Sequence, residues 1–134
     1  MMYQAFPKKY RKSKNKAIIK YCLEKWANIV KLIGYCEICG RSDILLNGHH
    51  IIKRGWALCN GWFLLKNGLC VCYKCHQKIH STNFNIVKEY HEKIVAILDR
   101  KGINYDLLHL ECKSRGVDLG LIKIALKTIL KERG

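Results

Sequence analysis

Apolar residues recur with a helical period near both ends of the chain and lose that period in the middle. From Lys16 to Ile33 they return at steps of three and four, which predicts an amphipathic helix that Gly34 ends. The stripe comprises Ile19, Cys22, Leu23, Trp26, Ile29, Val30 and Ile33. We therefore expect Trp26 to lie in the core.

Between residues 35 and 69 the pattern breaks into short apolar pieces at 44–46, 49–52 and 62–65. Glycines, most of them preceded by asparagine, separate these pieces and are turn signals between short strands or loops. These signals are Asn47-Gly48, Gly55, Asn60-Gly61 and Asn67-Gly68. The middle of the chain is therefore predicted to hold the short strands of a mixed α+β fold.

After Cys72 the helical period returns, first across 74–80 and then up to Gly102, which ends a longer helix. The stripe of that longer helix comprises Phe84, Val87, Tyr90, Ile94, Ile97 and Leu98. Two more helices are predicted, at about Tyr105 to Lys113 and Leu119 to Lys131. Their apolar stripes bury either one another or a partner subunit, and the sequence leaves this choice open.

The chain is strongly basic, and much of its charge lies at the front. Lysine and arginine number 25 against 10 acidic residues, a net charge of +15. Before Cys36, nine basic residues oppose Glu24 alone, so this segment carries +8. Such an excess predicts contacts with nucleic-acid phosphates, against the alternative of a solvated tail that aids solubility. The candidate contacts are Lys8, Lys9, Arg11 and Lys12, in a basic arm at 1–15, together with Lys53 and Arg54.

Hydropathy and cysteine usage predict a cytoplasmic protein with no membrane partner. No stretch approaches the roughly 18 uninterrupted apolar residues of a membrane span, and the first residues lack the apolar core of a signal peptide. In a reducing compartment eight cysteines indicate metal binding rather than a disulfide framework. Four of them are expected to be small buried apolar residues, namely Cys22, Cys59, Cys70 and Cys112.

The other four cysteines form two Cys-x2-Cys pairs, Cys36 with Cys39 and Cys72 with Cys75. This spacing lets both thiolates of a pair face one ion, and four thiolates close a tetrahedral Zn2+ site. Because such a site has no open position, the zinc is predicted to be structural. It would staple the strand region to the helix that begins near Cys72.

Four histidines lie close to these cysteines in the sequence. His76 and His80 are four residues apart, so on a helix they share one face and can present two imidazoles to one ion. Either His49 or His50 can supply a third ligand, since neighbours on a strand point to opposite sides, and the other remains free as a base. Three ligands with open positions and a nearby base suit metal-assisted phosphodiester hydrolysis.

The segments CEICG, GHHII and NGLCVCYKCHQKIH, over roughly residues 35 to 81, resemble the HNH endonucleases of the ββα-metal (His-Me finger) type, in the subgroup braced by four cysteines. The resemblance implies that His49, His76 and His80 bind one catalytic divalent ion and that His50 is the general base. It also implies that Asn67 holds the loop and orients His50 through backbone hydrogen bonds. The products would be 5′-phosphate and 3′-hydroxyl ends.

The resemblance covers about a third of the chain, and length, composition and helical periodicity predict the architecture around it. A small zinc-stapled ββα-metal finger at 35–81 would be flanked by an N-terminal helix at 16–34 and by a helical C-terminal part at 82–134. Together with the basic flexible arm at 1–15 these parts would form a single α+β domain at 1–134.

The finger departs from the family pattern in two ways. Many zinc-braced members carry Asp at the position of His49 and Asn at that of His76, an oxygen-rich pair that suits Mg2+. An all-imidazole set favours Zn2+, Ni2+ or Mn2+ instead. The candidate catalytic ions are therefore Mg2+, Mn2+, Ni2+ and Zn2+. The second departure is a long insertion between His50 and Asn67, whose aromatic residues either pack under the site or stack against unpaired bases. These aromatic residues are Trp56, Trp62 and Phe63.

More loosely, the segments LEKWANIV, GWFLLKNGLCVCYKCH and INYDLL resemble small phage recombination nucleases of the NinG type. This likeness implies a role in DNA recombination or repair on branched or single-strand-containing DNA, in the host cytoplasm, with a homodimer possible. Nothing in the sequence resembles a major-groove reading helix, so structure-selective or non-specific cleavage is expected. The alternative interpretation is a zinc-ribbon module that binds DNA without catalysis.

Overall fold

The computed structural model describes residues 16–55 and 58–133 and has an α+β fold, as predicted. Five helices surround a two-stranded antiparallel sheet within the described ranges. The elements are α1 (Lys16–Val30), β1 (Leu46–His50), β2 (Gly68–Cys72), α2 (Tyr73–Ile79), α3 (Phe84–Arg100), α4 (Tyr105–Lys113) and α5 (Leu119–Arg133). The predicted arm at 1–15 and Trp56 lie outside the described residues.

Helix α1 confirms the periodicity of the sequence. It continues as a 3-10 turn over Lys31–Ile33 and ends at Gly34, whose φ of 85° is a left-handed conformation that glycine adopts without strain. Its buried residues are Cys22, Trp26 and Ile29. Trp26 is only 1% exposed, so its predicted place in the core is confirmed.

The sheet differs from the sequence-based expectation. Strands β1 and β2 pair from Leu46 with Cys72 to His50 with Gly68. The pair Asn47-Gly48 therefore lies inside β1 and is not a turn, whereas the apolar piece at 62–65, expected to be a strand or a loop, lies among two 3-10 turns. By contrast, Asn60-Gly61 does lie in a turn, as predicted.

Two glycines of the sheet serve close packing against α1, which explains these errors. A Cβ atom on Gly48 would lie 3.3 Å from the Cα of Ala27 and 3.3 Å from the Trp26 ring. A Cβ atom on Gly68 would collide with Cγ2 of Val30 and lie 3.0 Å from the Trp26 ring. Helix α1 can rest on the sheet only because both positions lack a side chain.

Strand β2 is buried along its whole length, so its sequence GLCVC shows no alternation of apolar and polar residues. Leu69 and Val71 pack in a cluster with residues of α3 and α4, while Gly68 lies against α1. A short apolar run covered on both faces carries no periodic signal, which is why the sequence did not identify this strand.

The C-terminal helices bury themselves against different parts of the molecule. Leu108 and Cys112 of α4 join the cluster formed by the sheet and α3, whereas Leu126 of α5 packs in a second cluster with Trp26 and Phe63. The predicted stripe of α3 is confirmed from Tyr90 onward but is wrong at its first member, because Phe84 is 75% exposed. The exposed large residues of α4 and α5 are Leu107, Leu110, Leu121 and Ile124.

Three of the four cysteines outside the Cys-x2-Cys pairs are buried as expected, namely Cys22, Cys70 and Cys112. Cys59 is only half-buried, so the expectation was too strong for that residue. Among the described helices none is long and apolar enough to cross a membrane.

Gly68→Ala should destabilise the fold by about 1–3 kcal/mol, because its methyl group would force α1 away from the sheet. Gly120→Ala is the matched control, since a Cβ atom there meets its nearest neighbour at an ordinary 3.4 Å and the residue lies in α5, where alanine gains up to about 1 kcal/mol. Urea unfolding followed by circular dichroism measures both effects. Equal stability of the two variants would contradict the close packing of α1 on β2.

Candidate metal centres

Four cysteine thiols converge at the junction between β2 and α2. Cys36 and Cys39 lie in the turn that precedes β1, Cys72 ends β2, and Cys75 lies in the first turn of α2. Their sulfur atoms all lie within 4.8 Å of one another, and those of Cys39 and Cys72 are 3.7 Å apart. These four residues can hold one tetrahedral ion, and the all-thiolate set is the one that structural zinc sites use.

Each Cys-x2-Cys pair is shaped by a backbone hydrogen bond to its first sulfur. The N–H of Cys39 donates to Sγ of Cys36, and the N–H of Cys75 donates to Sγ of Cys72, both at 3.4 Å. Gly40, at a φ of 82°, closes the first turn by donating its N–H to the carbonyl of Cys36 at 2.8 Å. Amide donors aimed at sulfur favour the thiolate, which is the form that binds metal.

The pKa values of the cysteine thiols are also consistent with a site for a cation. Burial alone would raise the pKa of Cys36, but N–H donors of Cys39, Cys72 and Ile38 outweigh it and lower that pKa to about 7. Burial first, and then the neighbouring thiols of Cys72 and Cys36, raise the pKa of Cys75. A divalent cation removes the repulsion among crowded thiolates, so the cluster is suited to Zn2+.

Glu37, between the first two cysteines, ties this turn to β2, and sequence reasoning missed it. Its N–H donates to the carbonyl of Cys70, and its side chain accepts from the N–H of Cys70, both at 2.8 Å. Its other carboxylate oxygen lies 2.6 Å from Nζ of Lys101. The Glu37 side chain is only 8% exposed. The sequence signal for this role was an acidic residue between the two cysteines of the first Cys-x2-Cys pair.

A second group of ligands consists of three histidines, which the sequence predicted to share one ion. His49 projects from β1, while His76 lies in α2 and His80 caps its end. Their ring nitrogens lie within 4.8 Å of one another, and Nε2 of His76 is 3.2 Å from Nε2 of His80. The structure therefore answers which of the two adjacent histidines joins the pair from α2: it is His49.

The environment keeps two of these imidazoles neutral, as metal ligands must be. Burial, and after it the neighbouring rings of His76 and His80, lower the pKa of His49 to about 3. Burial also lowers the pKa of His76, followed by the effect of His80. Neutral rings with converging nitrogens are chemically suited to bind a transition-metal ion.

His50 lies on the opposite side of β1 from His49, as alternation along a strand requires. Its ring stacks on Trp26 with centroids 3.9 Å apart and an interplanar angle of 7°. Its Nε2 is 3.0 Å from the carbonyl oxygen of Trp62. Because a carbonyl only accepts hydrogen bonds, Nε2 carries the proton and Nδ1 retains its lone pair. Burial lowers the pKa of His50, so the neutral base is the resting form.

Asn67 is completely buried and clamps both ends of the loop that follows β1. Its side-chain oxygen accepts from the N–H of Ile52 at 2.7 Å, and its amide donates to the carbonyls of Ile52 at 3.1 Å and Gly61 at 2.9 Å. It makes no described bond to His50 itself. Its contacts nearest to His50 are with the backbone, at Gly61, which precedes Trp62, and at Ile51, whose N–H donates to the Asn67 carbonyl at 2.9 Å.

The remaining predicted site residues lie beside His50 or outside the described ranges. Phe63 is buried and Trp62 half-buried in the cluster with α1, so both pack under this side of the site. The guanidinium of Arg54 lies 5.0 Å above the Trp62 ring, and Lys53 is exposed next to it. The four candidate phosphate contacts of the arm lie outside the described residues, namely Lys8, Lys9, Arg11 and Lys12.

Comparison with known proteins finds a likeness over part of the chain. A protein of Bacillus subtilis (strain 168), "Uncharacterized protein YisB", is 38% identical to the chain over 55 residues, or 41% of this chain. The match covers 50% of that protein, so the chain spans about half the length of this relative. No family model matches the chain, and no solved structure matches it.

Cys36→Ser should remove the ion from the four-thiol cluster and lower the free energy of unfolding by more than about 4 kcal/mol, because one of its four ligands is lost. Cys59→Ser, which changes a half-buried thiol outside the cluster, should leave both quantities nearly unchanged. Zinc per chain by mass spectrometry and denaturant unfolding test this. With His76→Ala added to both variants to remove zinc from the three-histidine group, a full equivalent of zinc in the Cys36 variant would rule out the four-thiol site.

Proposed function

We propose that this protein is a metal-dependent endonuclease of the HNH type that hydrolyses phosphodiester bonds in DNA to 5′-phosphate and 3′-hydroxyl ends. The observation that carries the proposal is the juxtaposition at β1. His49 joins two histidines of α2 on one side of the strand, and His50, next in sequence, is held as a neutral base on the other. A separate four-thiol cluster braces both elements.

The three-histidine group is suited to a catalytic ion because three ligands leave coordination positions open to a substrate. A divalent ion held by His49, His76 and His80 would act as a Lewis acid toward the phosphate and the leaving 3′ oxygen. Imidazole donors favour Zn2+, Ni2+ or Mn2+, and Mg2+ is the least suited of the four candidate ions. The four-thiol cluster has no such open position and would hold structural Zn2+.

His50 would act as the general base. Its Nε2–H donates to the Trp62 carbonyl, so Nδ1 is the nitrogen that can take a proton from the attacking water. On protonation the same carbonyl goes on accepting from Nε2 and stabilises the imidazolium. Asn67 would support this arrangement by fixing Gly61, the residue before that carbonyl.

Arg54 and Lys53 would hold phosphates next to the scissile one. Arg54 is exposed and lies over the Trp62 ring, a cation–π contact that limits the freedom of its side chain. No ion pair with either residue occurs within the described part of the chain. Free cationic donors beside the base are suited to bind a polyanion.

The wider charge distribution supports DNA as the partner. With its 3-10 turn, α1 carries four lysines against Glu24, and α5 carries four basic residues against Glu132, so each has a charge of +3. Helix α3 has three basic and three acidic residues and is neutral. The cationic helices α1 and α5 pack against each other, and Lys25 and Lys123 both lie 5.0 Å from the Tyr21 ring.

The expected substrate preference follows from the groups of DNA that these basic side chains would contact. Lysine and arginine side chains neutralise phosphates without reading base sequence, so cleavage would be structure-selective or non-specific. A role in phage-type recombination or repair, on branched or single-strand-containing DNA in the cytoplasm, fits such selectivity. The exposed leucines of α4 and α5 would form the contact surface of a homodimer.

Wild-type protein should cut labelled duplex, single-stranded, flap or four-way-junction DNA in the presence of Mn2+, Ni2+, Zn2+ or Mg2+ added singly. His50→Ala should lower kcat by about 100-fold or more while metal and DNA binding persist, because only the base is removed. His76→Ala should lose both the added ion and cleavage. His109→Ala, at an exposed histidine of α4 outside both clusters, is the matched control.

One result would count against the nuclease, and another against the role of His50. Tight DNA binding with no cutting of any substrate with any ion would favour the zinc-ribbon module without catalysis. Loss of DNA binding in step with cutting in His50→Ala would remove this residue from the role of base.

DNA affinity should depend on the lysines shared between α1 and α5. In the His50→Ala background, Lys25→Gln combined with Lys123→Gln should reduce the slope of log K against log salt by roughly 0.9 for each phosphate that these lysines no longer neutralise. Lys93→Gln, whose amine is already 3.1 Å from Glu89 on neutral α3, is the matched control. Fluorescence anisotropy at several salt concentrations measures the slopes, and equal slopes would exclude this face from the DNA interface.

A further inference from the structure

We infer that Trp26 is a positioning residue for His50, so that helix α1, outside the zinc-braced ββα segment, is an integral part of the catalytic unit. This inference rests on the proposed function for its catalytic consequence. Its structural part, the orientation of one imidazole by one indole, can be measured whether or not DNA is cut.

The two rings make an extended face-to-face contact. The centroids of Trp26 and His50 are 3.9 Å apart and their planes differ by 7°, so the indole covers one face of the imidazole. Stacking of this kind fixes the plane of the smaller ring but leaves it free to rotate within that plane. The remaining freedom is removed by a second contact, from Nε2 of His50 to the Trp62 carbonyl.

The indole is itself held on several sides. Its Nε1–H donates to the carbonyl of Leu64 at 3.0 Å, and the side chain is 1% exposed. The sheet glycines Gly48 and Gly68 both lie against this ring, because a Cβ atom at either position would be within 3.3 Å of it. Trp26 is therefore held in one orientation, and the plane of the His50 ring stacked on it is set by the plane of the indole.

The same loop segment receives all the hydrogen bonds involved. Asn67 donates to the carbonyl of Gly61, His50 to that of Trp62, and Trp26 to that of Leu64. The segment thus acts as a common frame in which indole and imidazole are set relative to each other. Because the frame fixes both the plane and the rotation of His50, its Nδ1 lone pair points in one direction.

A catalytic base must lie within hydrogen-bond reach of the water it deprotonates, so loss of orientation lowers the rate of the chemical step rather than the affinity for DNA. Removing the indole face while leaving the carbonyl should let the imidazole tilt. We expect Trp26 variants to lower kcat with KM and bound metal nearly unchanged.

The test compares Trp26→Leu, Trp26→Phe and Leu126→Ala. Leu removes the aromatic face, Phe retains a flat ring that can stack, and Leu126 is a buried residue of α5 in the same cluster that serves as the stability-matched control. Trp26→Leu should lower kcat by about tenfold, the value of one aromatic stacking interaction. Trp26→Phe should recover most of the loss, and Leu126→Ala should retain kcat although its melting temperature falls at least as far.

Nuclear magnetic resonance of the His50 ring supplies the readout independent of cleavage. In the wild type its carbon-bound protons should be shifted upfield by the stacked indole, and its nitrogen shifts should report a proton on Nε2. In Trp26→Leu the upfield shift should vanish, and in Leu126→Ala both signatures should persist.

Each outcome decides the inference. An unshifted His50 ring in the wild type overturns it, even if every variant cuts DNA normally. Disappearance of the upfield shift in Trp26→Leu with unchanged kcat overturns the catalytic part, as does an equal fall of kcat in Leu126→Ala. Absence of cleavage in the wild type would instead count against the proposed nuclease, while the ring shift would still establish or refute the positioning of His50.

Discussion

The convergence of four cysteine thiols at the end of β2 is the constraint on which the rest of the structure depends. A two-stranded sheet is marginal on its own, and here it is joined at one point to the turn before β1 and to the start of α2. Because Cys75 lies in the first turn of α2, the direction of that helix is set there, and His76 follows directly. The thiol cluster thus determines where the imidazoles of α2 meet β1.

The second determinant is the pairing register of β1, which sends two adjacent histidines to opposite sides of a two-stranded sheet. A shift of the register by one residue would exchange the environments of His49 and His50, and both the three-histidine cluster and the stacking of His50 on Trp26 would be lost. Glycines in both strands bring α1 against the sheet on the His50 side. Helix packing and strand pairing therefore place the two residues of one His-His dipeptide in two different environments.

The sequence predicted most of the helices and the thiol cluster, but not the strand pairing. Periodicity located the helices, and the Cys-x2-Cys spacing identified the thiol cluster, because both signals are local. Alternation along a strand could not choose between His49 and His50; the family resemblance assigned His49, and the strand register places His49 beside the histidines of α2. Strand β2 was missed because it is apolar throughout, and Asn47-Gly48 was misassigned because a glycine needed for close packing looks the same as one needed for a turn. The Trp62 carbonyl is a backbone group and leaves no signal in any sequence.

The Asn67 clamp has a consequence for how such a protein can diverge. By fixing Ile52 and Gly61 at once, it holds both ends of the segment between them in place. Length changes in a loop whose ends are held cost little free energy, since closure entropy grows only slowly with chain length. The exposed residues of this segment, among them Lys53 and Arg54, therefore belong to a surface whose length can change without moving β1 or β2. A single buried amide thus makes the positions of the two strands independent of the length of the loop that joins them.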